Sequence, residues 1–165
     1  MNNYAEIIKY AMNLEKKAEE FYGFYKDKAK SQSIKEVFEG LSAMEDEHYN
    51  ILKNQLERAE NNQPFDEVNL KLEDGEKVIF NREKDLDNVN LSYELSDLPI
   101  LRMAYTLEND FANFYEKAAA KATDLNAKKL LETLAYWENE HRVAFAAEIE
   151  YATQNSWFEQ EFFPF

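Results

Sequence analysis

The chain contains no cysteine, and that single absence closes several routes. A disulfide framework, a thiolate metal site and a redox-active thiol are all excluded. Glycine and proline are scarce, three of each in 165 residues, which favours long helices over turn-rich architectures. No apolar run approaches the length of a membrane span, and Met1-Asn2-Asn3-Tyr4 has neither the basic nor the apolar region of a signal peptide. A cytoplasmic protein without a membrane partner is therefore expected. Positive charge is also short. Nineteen Lys+Arg stand against 33 Asp+Glu, and the net charge of −14 argues against nucleic acid as a partner. No Gly-rich phosphate loop is present, and two histidines leave no room for a Ser/His/Asp or Cys/His set once both are committed as described below. Hydrophobic residues still make up 45% of the chain, enough for a core in a single domain.

What is present is a unit written twice. Each histidine has a glutamate three residues before it, in Glu45-Asp46-Glu47-His48 and in Glu138-Asn139-Glu140-His141. On a helix, residues i and i+3 share a face, so each motif aims one carboxylate and one imidazole the same way. With 24 glutamates in the chain, both histidines would carry this neighbour by chance about one time in 50. The upstream matches count for more. Glu15 precedes Glu45 by thirty residues and Glu108 precedes Glu138 by thirty; Tyr22 and Tyr115, then Ala29 and Ala122, fall at matched positions. The two halves repeat at an offset of 93.

The helical period runs through both halves. Asn3-Tyr4-Ala5-Glu6 reads as a helix start, followed by a stripe of Ile8, Ala11, Glu15, Ala18, Tyr22 and Tyr25. Ser33-Ile34-Lys35-Glu36 reads as a capping box for a second helix, whose inner stripe is Ile34, Val37, Phe38, Leu41, Glu45, His48 and Leu52. The short break between them makes an antiparallel hairpin. Gly40, inside that helix, should cost stability unless a neighbour packs close. Ser96-Asp97-Leu98-Pro99 reads as the start of a third helix, with the stripe Leu101, Ala104, Glu108, Phe111, Tyr115 and Ala118. Thr123-Asp124 caps a fourth, with Ala127, Leu130, Leu131, Leu134, Glu138, His141 and Phe145 inward.

The expected organisation is all-α: a hairpin over about residues 3–60, a crossover over about 61–97, a second hairpin over about 98–154, and an aromatic tail at 155–165. Asp74-Gly75 in the crossover is a hairpin-turn signal, but pairing across it scatters the apolar residues over both faces. A strap along the bundle is the better reading, because so long a segment must travel the length of the domain. The tail carries Trp157, Phe158, Phe162, Phe163 and Phe165, apolar surface that calls for docking on its own bundle or on a partner subunit.

Four glutamates thus occupy core positions on four helices, with no lysine or arginine on the same stripes. An unpaired buried carboxylate costs several kcal/mol, and four together also repel. Two divalent cations would neutralise them. Four carboxylates and two imidazoles suit iron or manganese, with zinc a possible substitute. Glu47 and Glu140 also match each other, but their helical angle turns them away from the ligand face towards solvent.

On these residues the sequence resembles the rubrerythrin branch of the ferritin-like superfamily, across roughly residues 3–60 and 96–154. The resemblance implies a ferritin-like four-helix bundle of two repeated hairpins joined by a long crossover. It implies Glu15 and Glu108 as terminal ligands, Glu45 and Glu138 as bridges, His48 and His141 as one cap for each metal, and Tyr22 and Tyr115 as donors to the carboxylates. It implies two iron ions as cofactor, catalysis by no residues beyond the metal ligands, and a diferrous site that reacts with hydrogen peroxide or dioxygen. A homodimer is expected, as is an external electron-transfer protein, because the four-cysteine iron–sulfur domain usual in the family is not in this chain. A further family glutamate, three residues after the third-helix ligand, is replaced by Phe111, so a site with six protein ligands fits better than one whose iron moves between histidine and glutamate. Two other functions compete: an iron-handling protein without turnover, and a structural bundle that binds a partner through its tail.

Overall fold

The computed structural model describes residues 3–66, 78–85 and 92–159, with side chains from 4–66, 78–85 and 96–154. Among these residues the secondary structure is four α-helices, α1 (Asn3–Tyr25), α2 (Gln32–Glu60), α3 (Ser92–Lys121) and α4 (Leu125–Glu159), with one 3₁₀ turn at Arg82–Asp85. Helix α1 packs on α2 and α3 packs on α4, and the two hairpins close on each other into a four-helix bundle. Most residues of the inner stripes read from the sequence are buried: Ile8, Ala11, Ala18 and Tyr22 from α1, Phe38, Leu41 and Leu52 from α2, and their counterparts from α3 and α4. Tyr25 and Val37 are only partly buried.

The helix ends are fixed less locally than the sequence implies. The N-cap of α2 is Ser31, not Ser33: its Oγ accepts from Ile34 N at 3.0 Å with the backbone extended at φ −70° and ψ 125°. The displacement has a tertiary cause, since two carboxylates from elsewhere hold this terminus. Asp85 accepts from Gln32 N at 2.9 Å and from Ser31 Oγ at 2.8 Å, and Asp97 accepts from Lys30 N and Ser31 N, each at 2.8 Å. Helix α3 likewise starts before its Ser-Asp-Leu-Pro signal, at Ser92, leaving Pro99 inside the helix. Proline there forgoes one i to i−4 bond in the third turn, beside the buried Asp97 and Leu98. The fourth helix is capped as read, with Asp124 Oδ1 accepting from Ala127 N at 2.8 Å.

The repeat extends to the fastening of one hairpin on the other. Tyr4, at the start of α1, accepts from Thr123 N at 2.6 Å and Asp124 N at 2.9 Å, in the turn of the second hairpin. Asp97, the residue at offset 93 from Tyr4, accepts from Lys30 N and Ser31 N, which are themselves at offset 93 from Thr123 and Asp124. Each end of the bundle is thus closed by the same backbone groups meeting a different side chain, a phenol at one end and a carboxylate at the other.

The described parts of the crossover lie at opposite ends of the bundle. After α2, Phe65 is buried against Tyr4, and its carbonyl accepts from Asn126 at the start of α4. Further on, Phe80 meets Phe145 at 5.8 Å, Arg82 donates to Glu148 at 2.8 and 3.1 Å and lies 3.8 Å over the Tyr151 ring, and Asp85 reaches the start of α2. The Asp74-Gly75 turn signal lies outside the described residues. So do the side chains of the aromatic tail, although α4 itself continues to Glu159. Gly40 has no neighbour within 4 Å of the position a Cβ would take, so no close approach requires glycine there.

Candidate metal centre

Halfway along the bundle the apolar stripes are interrupted by acids. Glu15 follows Ala11 by one turn of α1, and Glu108 follows Ala104 by one turn of α3. Glu45 with His48 and Glu138 with His141 project from α2 and α4 at the i, i+3 spacing that gives them one face. All six side chains have zero exposure. The four helices therefore bring together the four glutamates and two histidines of the repeat, with Tyr22 and Tyr115 beside them.

The six form two overlapping groups. Glu15, Glu45, His48 and Glu138 each offer a ligand atom within 4.8 Å of the others, and so do Glu45, Glu108, Glu138 and His141. Glu45 and Glu138 belong to both groups. His48 Nδ1 lies 3.0 Å from Glu45 Oε2 and 3.4 Å from both Glu15 Oε2 and Glu138 Oε1. His141 Nδ1 lies 3.4 Å from Glu138 Oε2, 3.5 Å from Glu108 Oε2 and 3.8 Å from Glu45 Oε1. In each half the same ring nitrogen faces the carboxylates. Glu47 is exposed, Glu140 is half-buried, and neither joins either group.

The tyrosines cross between hairpins. Tyr22 of α1 donates its hydroxyl proton to Glu108 Oε1 of α3, and Tyr115 of α3 donates to Glu15 Oε1 of α1. Burial first, then the neighbouring carboxylates, pushes both phenols well above their ordinary range, so they remain neutral donors.

These bonds leave much of the acid unsatisfied. Glu15 Oε2, Glu45 Oε1, Glu108 Oε2 and both oxygens of Glu138 are buried and accept no hydrogen bond among the described residues. Burial, with Glu138 adding to it, holds Glu45 well above the carboxylate range. Burial also lifts Glu108 to about 8, opposed by His141 and reinforced by Glu138. Glu138 goes the other way: burial raises it, but the imidazoles of His141 and His48 outweigh that and hold it below its ordinary value. Hard oxygen donors left unpartnered around two imidazoles match the coordination demands of two divalent cations. That donor set fits a two-metal centre.

The rubrerythrin family model matches residues 6–149. The chain belongs to the rubrerythrin family. No curated protein and no solved structure gives a significant match to it. The matched span takes in both hairpins and all six clustered side chains. Among the described residues of this rubrerythrin, no helix is long and apolar enough to cross a membrane.

Two aromatic residues complete the surroundings. Phe111 is 4% exposed and follows Glu108 by three residues on α3. With Leu14, Leu107 and Phe114 it lines an open cleft of about 560 Å³ between α1 and α3, rimmed by the exposed Tyr10 and Met103. Trp137, directly before Glu138, was not singled out by its sequence position, because its helical angle differs from that of the ligand face. Its indole is 4% exposed and stacks on the His48 ring, with centroids 5.2 Å apart and planes 14° from parallel. The repeat did carry a signal: at offset 93 Trp137 answers to Met44, a break in symmetry beside an otherwise matched motif.

Proposed function

We propose that this rubrerythrin is a non-haem di-iron oxidoreductase whose reduced centre reacts with hydrogen peroxide or dioxygen. The observation that supports the reading best is the pair of buried four-residue groups sharing Glu45 and Glu138. In this reading Glu45 and Glu138, which belong to both groups, would be shared by the two metals, and Glu15 and Glu108 would each serve one of them. His48 and His141 would each cap one, with Nδ1 the ring nitrogen that faces the carboxylates. Two iron ions are the proposed cofactor, with manganese or zinc as substitutes. When bound, they supply the electrons and the Lewis acidity that cleave an O–O bond.

The chain's own residues do the rest. The complete burial of the six side chains excludes bulk water and so strengthens every charge interaction within the cluster. Tyr22 and Tyr115 fix the orientation of Glu108 and Glu15 by donating to one oxygen of each, leaving the other oxygen for metal. The cleft between α1 and α3, with Leu14, Leu107, Phe111 and Phe114 in its wall, lies beside the helices that carry those two glutamates and is the proposed approach for a small neutral oxidant. As part of this proposal, turnover draws electrons from an external electron-transfer protein. A homodimer is part of the same proposal.

The complete enclosure of the cluster favours one further reading, an iron-handling protein that oxidises and retains iron without turnover. Anaerobic titration with ferrous iron, followed by stopped-flow mixing with peroxide and with oxygen, tests both. Iron oxidation followed by continued peroxide consumption in the presence of a reductant supports the oxidoreductase. Oxidation that stops after one equivalent of the centre supports retention, and no reaction with either oxidant overturns the proposal.

A further inference from the structure

Reducing one peroxide to two waters takes two electrons and two protons. A diferrous pair supplies both electrons, but a centre holding one ferrous and one ferric ion supplies only one. The site is buried on every side, so the missing electron must come through protein. Three oxidisable rings lie against the cluster: Tyr22, Tyr115 and Trp137.

The two phenols are poorly placed for this. A tyrosine gives up an electron readily only if its hydroxyl proton leaves at the same time, and each hydroxyl here points at a carboxylate, Glu108 or Glu15. A carboxylate that binds metal is a weak proton acceptor. An indole can be oxidised with its proton still attached. Trp137 lies face to face with His48, in contact with one of the proposed ligands, and its Nε1–H has no hydrogen-bond acceptor among the described residues. With no base to take that proton, the oxidised ring stays a radical cation, which is a stronger oxidant than the neutral radical and is readily refilled.

From this geometry we propose that Trp137 is a one-electron relay to the metal centre through the His48 imidazole. The inference rests on the oxidoreductase reading of the site. When peroxide meets a centre that has one electron to give, Trp137 supplies the second. The sum is one ferrous ion, one Trp137, one hydrogen peroxide and two protons giving one ferric ion, one Trp137 radical cation and two waters. An external one-electron donor then restores the indole. The relay keeps a half-reduced centre from releasing a partly reduced oxidant into the core.

The test uses full-length protein carrying two iron ions per chain, poised at one electron per centre, mixed with one equivalent of hydrogen peroxide and freeze-quenched. Electron paramagnetic resonance should show an indole radical that is absent from Trp137→Phe and retained in Trp157→Phe, the chain's other tryptophan. Ascorbate should abolish the signal, and it should refill the centre at least tenfold more slowly in Trp137→Phe. If Trp137→Phe fails to fold or to load iron, deuterated tryptophan in the Trp157→Phe background gives the assignment instead, because only residue 137 is then labelled. A radical that survives in Trp137→Phe or ignores the label overturns the relay, as does one removed by Tyr22→Phe or Tyr115→Phe in protein that still carries two iron ions per chain. So does full oxidation of the iron with no organic radical, although the oxidoreductase reading then stands. Iron left unoxidised by peroxide overturns that reading, and the relay with it.

Discussion

Tyr22 and Glu108 lie 86 residues apart and in different hairpins, yet the hydroxyl of the first donates to Oε1 of the second. Tyr115 and Glu15 repeat the bond in the opposite direction. The cluster is therefore tied across the bundle by the same residues that its own repeat supplies. Removing a donor leaves a buried acceptor with nothing in its place, at a cost of about 1–3 kcal/mol. Tyr22→Phe and Tyr115→Phe should each lower the stability of the metal-free protein by that amount in denaturant unfolding. Each should also weaken metal binding by roughly 10–100-fold in a competition titration. Unchanged affinity in both variants would show that the phenols are only packing.

Metal analysis after reconstitution with ferrous iron should give about two ions per chain, the number that the charge and ligand sets both balance. Glu45→Ala and Glu138→Ala should each impair both positions, because each residue belongs to both groups. His48→Ala and His141→Ala should each leave one ion bound. A stoichiometry that saturates at one in the parent chain, or equal losses in all four variants, would refute the bridging roles.

How far the fold was legible follows from where its causes lie. The inward position of Glu15, Glu45, Glu108 and Glu138 was readable, because helical period places them among residues that must be buried, and the 93-residue repeat fixes the pairing of halves. The start of α2 was misread at Ser33 because Asp85 and Asp97, far away in sequence, satisfy the amides around Ser31. The start of α3 was misread because a proline that suits the first turn is only a local start signal, and the helix runs back to Ser92 with Pro99 inside it. Trp137 was missed for a different reason. Its partner His48 is on another helix, and stacking across helices leaves no mark on the period of either.

The two end fastenings differ in burial, and that difference sets their energies. Asp97 is 1% exposed and accepts from two backbone amides, so Asp97→Ala should cost about 1–3 kcal/mol. Tyr4 is half-buried with partners near the surface, and water can replace it. Tyr4→Phe should cost under about 1 kcal/mol. Urea midpoints of the two single variants measure the contrast, and equal losses would mean that the two ends are energetically alike.

Gly40 offers the opposite sign. It lies inside α2, and a Cβ there would meet nothing within 4 Å, so Gly40→Ala removes backbone freedom from the unfolded chain without a clash. The expected gain is about 0.5–1 kcal/mol. In a domain of this size that raises the melting temperature by about 1–4 °C. A lower melting temperature would show that this part of α2 needs glycine for a reason other than space.

The carboxyl cluster also sets how the metal-free protein responds to pH. Burial, opposed by His141 and reinforced by Glu138, raises Glu108 from its ordinary 4.5 to about 8 in the folded chain, and Glu45 moves the same way. Between those two values the folded state holds more protons than the unfolded state, so stability falls as pH rises. Below about 4.5 these groups are protonated in both states and the full stability remains; the share that Glu108 carries is lost as pH rises through about 8. Glu138, held below its ordinary value, contributes no slope in this window, since it is ionised in both states there. Metal reverses the trend, because it binds only the deprotonated folded cluster and its apparent affinity grows with pH. Unfolding free energies from pH 4.5 to 8 should therefore descend for metal-free protein and level or rise with ferrous iron present. Glu108→Gln should flatten the metal-free descent, because its neutral amide is spared the buried charge, while weakening metal binding. A flat metal-free curve in the parent chain, with Glu108→Gln no more stable than it at pH 8, would show that this carboxyl is not a buried acid and that the cluster is looser than its zero exposure indicates.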